Sequence, residues 1–301
     1  MGANGLSDEP DTRNELAKES AIKAGLRSAR NGNYKKALPS FSKAVELAPM
    51  RWDSRLYRGI ARARLGQYDL AIEDLSVAVS LNPRCLECFF ERATAEFFIG
   101  QFENALNDLS HCLDLYPDFA PAHSMRAGIY VKKGSYDRAL ADMNAALKLR
   151  PNDSGYLHNR AVVLTGLERY GEAIFDYENA IRLNPKGGGT YNNLAWLLAT
   201  VKDPEFRDCR KAIHYALKAL ETDKNGAWLD TLAAAYAECG EFEMAMSSEI
   251  KAYKISNPPN EIFRKRIKAY KNGINFSDRG SQNPGNQTCQ RGRKNENSNW
   301  N

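Results

Sequence analysis

The sequence predicts an all-α fold made of stacked helical hairpins, because three sets of residues recur at a constant interval of 34 positions. Alanine recurs at Ala37, Ala71, Ala105, Ala139 and Ala173. Proline recurs at Pro49, Pro83, Pro117, Pro151 and Pro185. Aromatic residues recur at Tyr34, Tyr68, Phe102, Tyr136 and Tyr170. A period that holds over five successive units indicates an array of equal structural units.

Each unit is predicted to contain a helix, a tight turn, a second helix and a stop. Apolar residues within AIEDLSVAVSL (Ala71 to Leu81) recur at helical spacing. Turns are expected near Gly32, Gly66, Gly100 and Gly134, where glycine stands between the two helices. The proline after the second helix cannot continue it and forces a new start. Because one hairpin cannot bury its own apolar face, neighbouring hairpins must stack into one core.

The segment GIARARLGQYDLAIEDLSVAVSLNP (Gly59 to Pro83) is similar to the unit of the tetratricopeptide-repeat (TPR) family. The resemblance covers about Lys18 to Pro259. It implies a TPR solenoid, a right-handed superhelix of about seven helix-turn-helix repeats plus a C-terminal capping helix. The segments LAWLLAT (Leu194 to Thr200) and AWLDTLAAAYAECGEF (Ala227 to Phe242) also resemble the ends of bacterial multi-repeat TPR proteins.

The family's phase predicts the domain organisation. The five regular units are expected at about 18–51, 52–85, 86–119, 120–153 and 154–187. Two degenerate units follow at 188–225, with an enlarged turn, and at 226–259, and a capping helix is expected at 260–272. A polar N-terminal arm (1–17) and a disordered basic tail (273–301) are expected to flank this array of residues 18–272.

Charge and cysteine content give the expected compartment. From Asn260 onward there are nine Lys/Arg and three Asp/Glu, so residues 1–259 carry −1 of the formal net charge of +5. The chain starts without a secretory signal pattern, and its longest apolar stretch, near Leu194 to Val201, is too short to span a bilayer. Six cysteines in 301 residues fit a reducing compartment better than a disulfide framework. The sequence therefore predicts a cytoplasmic protein that does not insert into membranes.

Two further sets of residues share the 34-residue interval and suggest ion pairs. Arginines stand at one place in the first helix of units two to five, namely Arg58, Arg92, Arg126 and Arg160. Aspartates stand at one place in the second helix of the same units, namely Asp74, Asp108, Asp142 and Asp176. Both residues are missing together from units one, six and seven. Paired presence and absence suggest structural Arg–Asp bridges within the hairpins, and an anion-binding arginine row is the alternative.

The family resemblance implies that the first helices line a concave groove where a partner binds. The family's groove positions carry over to Leu56, Tyr57, Ile60, Phe90, Glu91, Thr94, Phe97, Ser124, His158, Asn159, Asn192 and Asn193. One helical face cannot bury all four Phe of FFERATAEFF (Phe89 to Phe98), so some should be exposed as anchors for a partner. The basic clamp with which some relatives grip acidic chaperone tails is absent, since its places hold Ile22, Leu26, Tyr57, Glu87 and Glu91.

Two alternative functions depend on other segments. Cys85 and Cys88 form a C-x-x-C pair near His111 and Cys112, but a tetrahedral zinc site needs a second close pair of ligands. A redox C-x-x-C would normally accompany a βαβ pattern, which this chain lacks. The tail, with RGRK and Trp300, could contact RNA without sequence preference.

No catalytic or phosphate-binding motif is present, and the four histidines show no ligand spacing. We therefore expect a non-catalytic scaffold, without cofactor or metal, that binds a protein or peptide. Association through the tail with nucleic acid, a cysteine-based site and self-association are the alternatives.

Overall fold

A computed structural model describes residues 9–256 and 261–275, with side chains from residue 15 onward. Within these ranges the chain is all-α, as predicted, and contains no β-strand. The helices are α1 (Glu9–Arg30), α2 (Tyr34–Leu47), α3 (Trp52–Arg64), α4 (Tyr68–Leu81), α5 (Leu86–Phe98), α6 (Phe102–Leu115), α7 (Ala120–Lys132), α8 (Tyr136–Leu149), α9 (Ser154–Gly166), α10 (Tyr170–Leu183), α11 (Gly188–Thr200), α12 (Cys209–Thr222), α13 (Gly226–Glu238), α14 (Phe242–Ile255) and α15 (Glu261–Lys271). None of the described helices is both long enough and apolar enough to cross a membrane.

The turn inside each hairpin explains the periodic glycines. In the α3–α4 hairpin, Gly66 has φ +76° and donates its N–H to the carbonyl of Ala63. The next N–H, of Gln67, reaches back to the carbonyl of Arg62, so the last turn of α3 has satisfied carbonyls. The left-handed conformation suits glycine because it has no Cβ. The α9–α10 turn departs from this pattern, because Glu168 occupies the same conformation at φ +59°.

The chain divides into two compact units, residues 1–129 and 130–301, with the boundary inside α7. In the first unit, the periodic alanines are fully buried between paired helices. Leu75 and Leu109, each four residues after a periodic alanine, are also fully buried there. In the second unit, the largest cluster contains Tyr177, Leu194 and Trp196. Each core is therefore a run of small residues in close helix contacts alternating with one bulky residue per hairpin.

One boundary differs from the sequence expectation. Helix α1 begins at Glu9, so residues 9–17 of the predicted arm are helical. The enlarged turn contains a short 3₁₀ segment at Pro204–Phe206, and the Phe206 ring lies 5.8 Å from that of Tyr170. The capping helix, α15, spans Glu261–Lys271. Residues 276–301 of the predicted tail lie outside the described residues.

The expectation that the cysteines are reduced is wrong for four of them. Cys85 is disulfide-bonded to Cys88, and Cys209 to Cys239, each with 5.3 Å between Cα atoms. The second bond joins the start of α12 to the residue that follows α13, and helical packing rather than sequence spacing brings these residues together. Disulfides persist mainly in oxidising compartments. Cysteine usage therefore no longer supports the predicted cytoplasmic location.

Candidate functional site

Three of the four predicted Arg–Asp pairs each lie within one compact unit, and all three are bidentate. Arg58 donates from Nε and Nη2 to the two carboxylate oxygens of Asp74 at 2.7 and 2.6 Å. Arg92 contacts Asp108 at 2.7 and 2.8 Å. Arg160 contacts Asp176 at 2.7 and 2.9 Å. The hydrogen bond to the carboxylate raises the pKa of Arg92 and of Arg160. These side chains join the two helices of a hairpin.

Three of the four periodic arginines also reach the preceding hairpin, a contact that the sequence did not predict. Nη1 of Arg92 donates to the hydroxyl of Ser76 at 3.2 Å, and Nη1 of Arg126 donates to Ser110 at 3.3 Å. Nη1 of Arg160 donates to the side-chain oxygen of Asn144 at 3.1 Å. Each partner lies 16 residues before its arginine, as each aspartate lies 16 residues after it. The fourth predicted aspartate, Asp142, is buried and belongs to the second unit, whereas Arg126 belongs to the first.

Two more arginines of helix α3 donate hydrogen bonds to the carboxylate of Asp74, which Arg58 also binds. Arg55 donates to Asp74 at 3.2 Å and Arg62 donates at 2.7 Å, so Asp74 receives three guanidinium groups. The exposed fraction of Asp74 is 1%, and those of the Arg55, Arg58 and Arg62 side chains are 24%, 14% and 19%. The spacing of Arg55, Arg58 and Arg62 by three and four residues was visible in the sequence and could have identified this cluster.

Six of the twelve predicted partner contacts are buried in the structure. They are Leu56, Glu91, Thr94, Ser124, Asn159 and Asn192. The hydroxyl of Thr94 donates to the carbonyl of Phe90 at 2.8 Å and lies 3.6 Å from the sulfur of Met125. Glu91 accepts a hydrogen bond from Arg64 at 3.2 Å, and burial raises its pKa. Burial gives these six residues a role in helix packing, and a role in partner contact stays a prediction for them. The position of a residue within the repeat did not distinguish residues that line the groove from residues that are buried between successive first helices.

The other six predicted contacts, Tyr57, Ile60, Phe90, Phe97, His158 and Asn193, are half-buried. Phe97 belongs to an aromatic cluster that we define as Tyr68, Phe97, Phe98 and Phe102. Phe98 stacks on Tyr68 with 5.0 Å between ring centroids and an interplanar angle of 12°, and Phe97 contacts Phe98 and Phe102 at 5.8 Å each. Phe98 is 48% exposed, and it was not among the predicted contacts although it closes the Phe89 to Phe98 stretch.

His158 lies in a polar cluster in the second unit. Its Nδ1 is 3.0 Å from the hydroxyl of Thr190, its Nε2 is 3.5 Å from the amide nitrogen of Asn193, and its ring makes an edge contact with Tyr177 at 5.7 Å. A polar pocket of about 210 Å³ opens beside it. Its lining consists of Asp153, Ser154, Gly155, His158, Asn184, Gly187 and Thr190.

The residues of the suggested metal site do not assemble into one. Cys85 and Cys88 are bonded to each other and so present no thiolates to a metal ion, and the ring of His111 packs on Phe89 at 4.3 Å. Cys112 is buried, and burial together with the nearby Asp108 raises the pKa of its thiol to about 12. Across residues 9–256 and 261–275, no three His, Cys, Asp or Glu side chains are grouped so that they could hold a metal ion.

Hairpins of 34 residues with a left-handed turn residue and fully buried alanines define a helical-repeat protein. The tetratricopeptide repeat model matches residues 22–84, 90–154 and 125–187, which together make up more than half of the chain. The chain therefore belongs to the tetratricopeptide repeat family. A comparison with curated proteins found no match.

Solved structures share this fold at low sequence identity. A tetratricopeptide repeat protein from Parabacteroides merdae is 18% identical with a TM-score of 0.66, covering 85% of this chain and 99% of that one. YrrB, described as a TPR protein with an unusual peptide-binding site, is 20% identical with a TM-score of 0.51, covering 66% and 99%. A thermophilic TPR protein from Thermus thermophilus is 23% identical with a TM-score of 0.50, covering 59% and 97%.

Proposed function

We propose that this chain is a non-catalytic scaffold that binds a peptide or protein segment, with the aromatic cluster on α4 to α6 as its main anchor. The observation that carries the proposal is Phe98, whose side chain is 48% exposed while its ring is held against Tyr68. A rigid, exposed aromatic ring gives a partner a large contact area at little cost in conformational entropy.

The surroundings of Phe98 support an anchoring role. Phe97 and Phe102 contact each other and pack against buried core residues of the first unit, so the aromatic cluster is supported by the core. Phe90 is also held, by an edge contact with Phe119 at 5.1 Å. Because these rings are fixed before binding, a partner would not have to order them.

A separate set of polar contacts to a peptide backbone is proposed for the second unit by itself. The imidazole of His158 and the amide of Asn193 are half-buried and lie beside a pocket of polar side chains. Amide and imidazole groups can hydrogen-bond to the N–H and C=O groups of a peptide backbone. The family membership favours a protein or peptide as the ligand, and the structural relative YrrB is described as having a peptide-binding site.

The partner is not expected to be an acidic chaperone tail. Glu87 is exposed on α5 and would repel a carboxylate-rich peptide, and the neighbouring cation, Arg64, already binds Glu91. Cytoplasmic location, self-association and contact of the tail with nucleic acid remain predictions from the sequence.

The test is affinity capture from nuclease-treated extract with the full chain and with a Phe98→Ser variant. Removing an exposed ring should leave the helix content and the unfolding temperature close to those of the wild type. The matched control is Phe175→Ser on α10, which changes another exposed phenylalanine, 64% exposed, in the second unit.

We expect a protein that the wild type and Phe175→Ser both retain and that Phe98→Ser loses. The captured protein should then bind the purified wild type directly, with a dissociation constant at least roughly tenfold lower than for Phe98→Ser. Equal retention by all three proteins would rule out the aromatic cluster as the anchor.

A further inference from the structure

The arginine cluster of α3, which we define as Arg55, Arg58 and Arg62, carries more positive charge than its partner neutralises. All three side chains contact Asp74, and four hydrogen bonds fill its two oxygens, with Oδ1 taking Arg55 and Arg58 and Oδ2 taking Arg58 and Arg62. An ionised carboxylate has about four acceptor sites. Asp74 is therefore saturated, and two formal positive charges remain on the cluster.

Donors of the cluster are left without acceptors. The Nε of Arg55 is buried and has no hydrogen-bond partner among the described residues. The Nη1 of Arg58 also differs from its counterparts, because Arg92, Arg126 and Arg160 each use Nη1 to bind the preceding hairpin. Ser42 stands at the matching place before Arg58, but within the described chain the side-chain hydrogen bonds of Arg58 go to Asp74.

Two carboxylates of the first unit are engaged by other arginines. Asp53 of α3 binds Arg51 at 3.1 Å, and Glu91 of α5 binds Arg64 at 3.2 Å. Three guanidinium groups that share one carboxylate repel one another, and a second anion would relieve that repulsion. The three arginine side chains are 14 to 24% exposed, so the cluster is partly open to solvent.

The next hairpin shows that this charge is particular to α3. At the places of Arg55 and Arg62, helix α5 has Phe89 and Glu96, so Arg92 there meets two carboxylates instead of two more arginines. The cluster is also separate from the proposed groove. Residues 55, 58 and 62 share one side of α3, whereas Tyr57 and Ile60 lie on the opposite side of a helix with 3.6 residues per turn.

We infer that the arginine cluster of α3 is an oxyanion site that binds a phosphate group, either free phosphate or a phosphate monoester. A dianion matches the residual charge of +2, whereas a single carboxylate would leave one charge unbalanced. The planar fork of each arginine can donate two parallel hydrogen bonds to an oxyanion. Asp74 holds the three guanidinium groups in place, and Nη1 of Arg58, which does not bind Asp74, supplies a donor.

To test the site, the full-length protein is titrated by isothermal calorimetry at constant ionic strength. Inorganic phosphate, O-phosphoserine and acetate are used in separate titrations. The informative variant is Arg55→Gln plus Arg62→Gln, which leaves the bidentate Arg58–Asp74 pair and brings the local charge to zero. The matched control is Arg84→Gln, which removes one charge from an exposed arginine of the same unit.

Saturable phosphate binding by the wild type and by Arg84→Gln, weakened roughly tenfold or more in the double variant, supports the site. Tighter binding of O-phosphoserine than of inorganic phosphate identifies a monoester as the ligand, and equal binding identifies free phosphate. The proposal is overturned if the wild type binds no phosphate, if the double variant binds it equally well, or if acetate binds as tightly as phosphate.

A double variant that loses helix content by circular dichroism is replaced by Arg55→Lys plus Arg62→Lys. Lysine keeps the charge but not the planar fork. Phosphate must then bind this variant more weakly than it binds the wild type, and equal binding would contradict the assignment.

Discussion

The hairpins α3–α4 and α5–α6 have the same backbone plan and opposite charge balances. In the first, Arg55, Arg58 and Arg62 converge on Asp74. In the second, Arg92 pairs with Asp108, while Glu96 occupies the place of Arg62 and is 5% exposed. The ion pair therefore comes from the repeated framework, and its electrostatic surroundings are set separately in each hairpin. Identical geometry in two repeats does not imply identical energetics or ligands.

The largest difference is expected when the shared aspartate is neutralised. Asp74→Asn leaves three partly buried guanidinium groups without a charge partner and should lower the free energy of unfolding by about 3 kcal/mol. Asp108→Asn leaves only Arg92 unpaired and removes a negative charge beside Glu96, so its cost should be smaller. Urea unfolding of both variants at pH 7 measures the difference. Asp69→Asn, at an exposed position of α4, is the control. Equal losses of unfolding free energy in Asp74→Asn and Asp108→Asn would show that the additional arginines do not depend on Asp74.

Glu96 should make stability depend on pH. Burial, followed by the nearby Asp108, raises its pKa from 4.5 to about 7. Because the folded pKa lies above the unfolded one, the stabilisation by the neutral acid is complete below pH 4.5 and is lost as the pH rises through about 7. We expect the wild type to lose about 3 kcal/mol of unfolding free energy between pH 4.5 and 7.5 relative to Glu96→Gln.

Comparison with Glu96→Gln isolates this effect from that of Glu249, a fully buried carboxyl group whose pKa burial raises to about 9 and which titrates in both proteins. Denaturant unfolding at several pH values provides the curves. Parallel curves for the wild type and Glu96→Gln would show that Glu96 is solvated.

A smaller effect should come from the link to the preceding hairpin. Ser76→Ala removes the acceptor of the Arg92 Nη1 bond at 3.2 Å and should cost about 1 kcal/mol. Ser42→Ala removes the equivalent hydroxyl before Arg58, where that bond is not formed, and should be close to neutral. Chemical unfolding of this matched pair tests whether α5 is tied to its neighbour more strongly than α3. A similar loss in both variants would contradict the comparison.

The smallest expected effect concerns the turn. The α5–α6 turn uses Gly100 at φ +82°, whereas the α9–α10 turn places Glu168 at φ +59°. A residue with a Cβ is strained there, so Glu168→Gly should raise the unfolding free energy by about 0.5 to 1 kcal/mol. The reciprocal change, Gly100→Ala, should lower it by about 1 kcal/mol. Thermal unfolding measures both, and a destabilising Glu168→Gly would mean that the side chain of Glu168 offsets the strain of its backbone.

Much of the fold could be predicted because the signals that end each helix are local and recur at a constant interval. Glycine at the turn and proline after the second helix fix where helices end, and these signals repeat every 34 residues. Paired occurrence of Arg and Asp also pointed to contacts between residues 16 apart, such as Arg160 and Asp176. The exposure of the predicted contact residues could not be predicted from the sequence, because the exposure of a first-helix residue depends on how the next hairpin packs against it. Asn192 and Thr94 are buried for that reason.

The sequence by itself determined the class of fold, the length of each hairpin and the positions of the turns. These features depend on backbone preferences and apolar spacing among residues that are close together in the sequence. Only the tertiary structure decided the disulfide between Cys209 and Cys239, the convergence of three arginines on Asp74 and the exposure of Phe98. Each of these depends on how helices from different parts of the chain approach one another. That approach is set by the packing of many side chains at once.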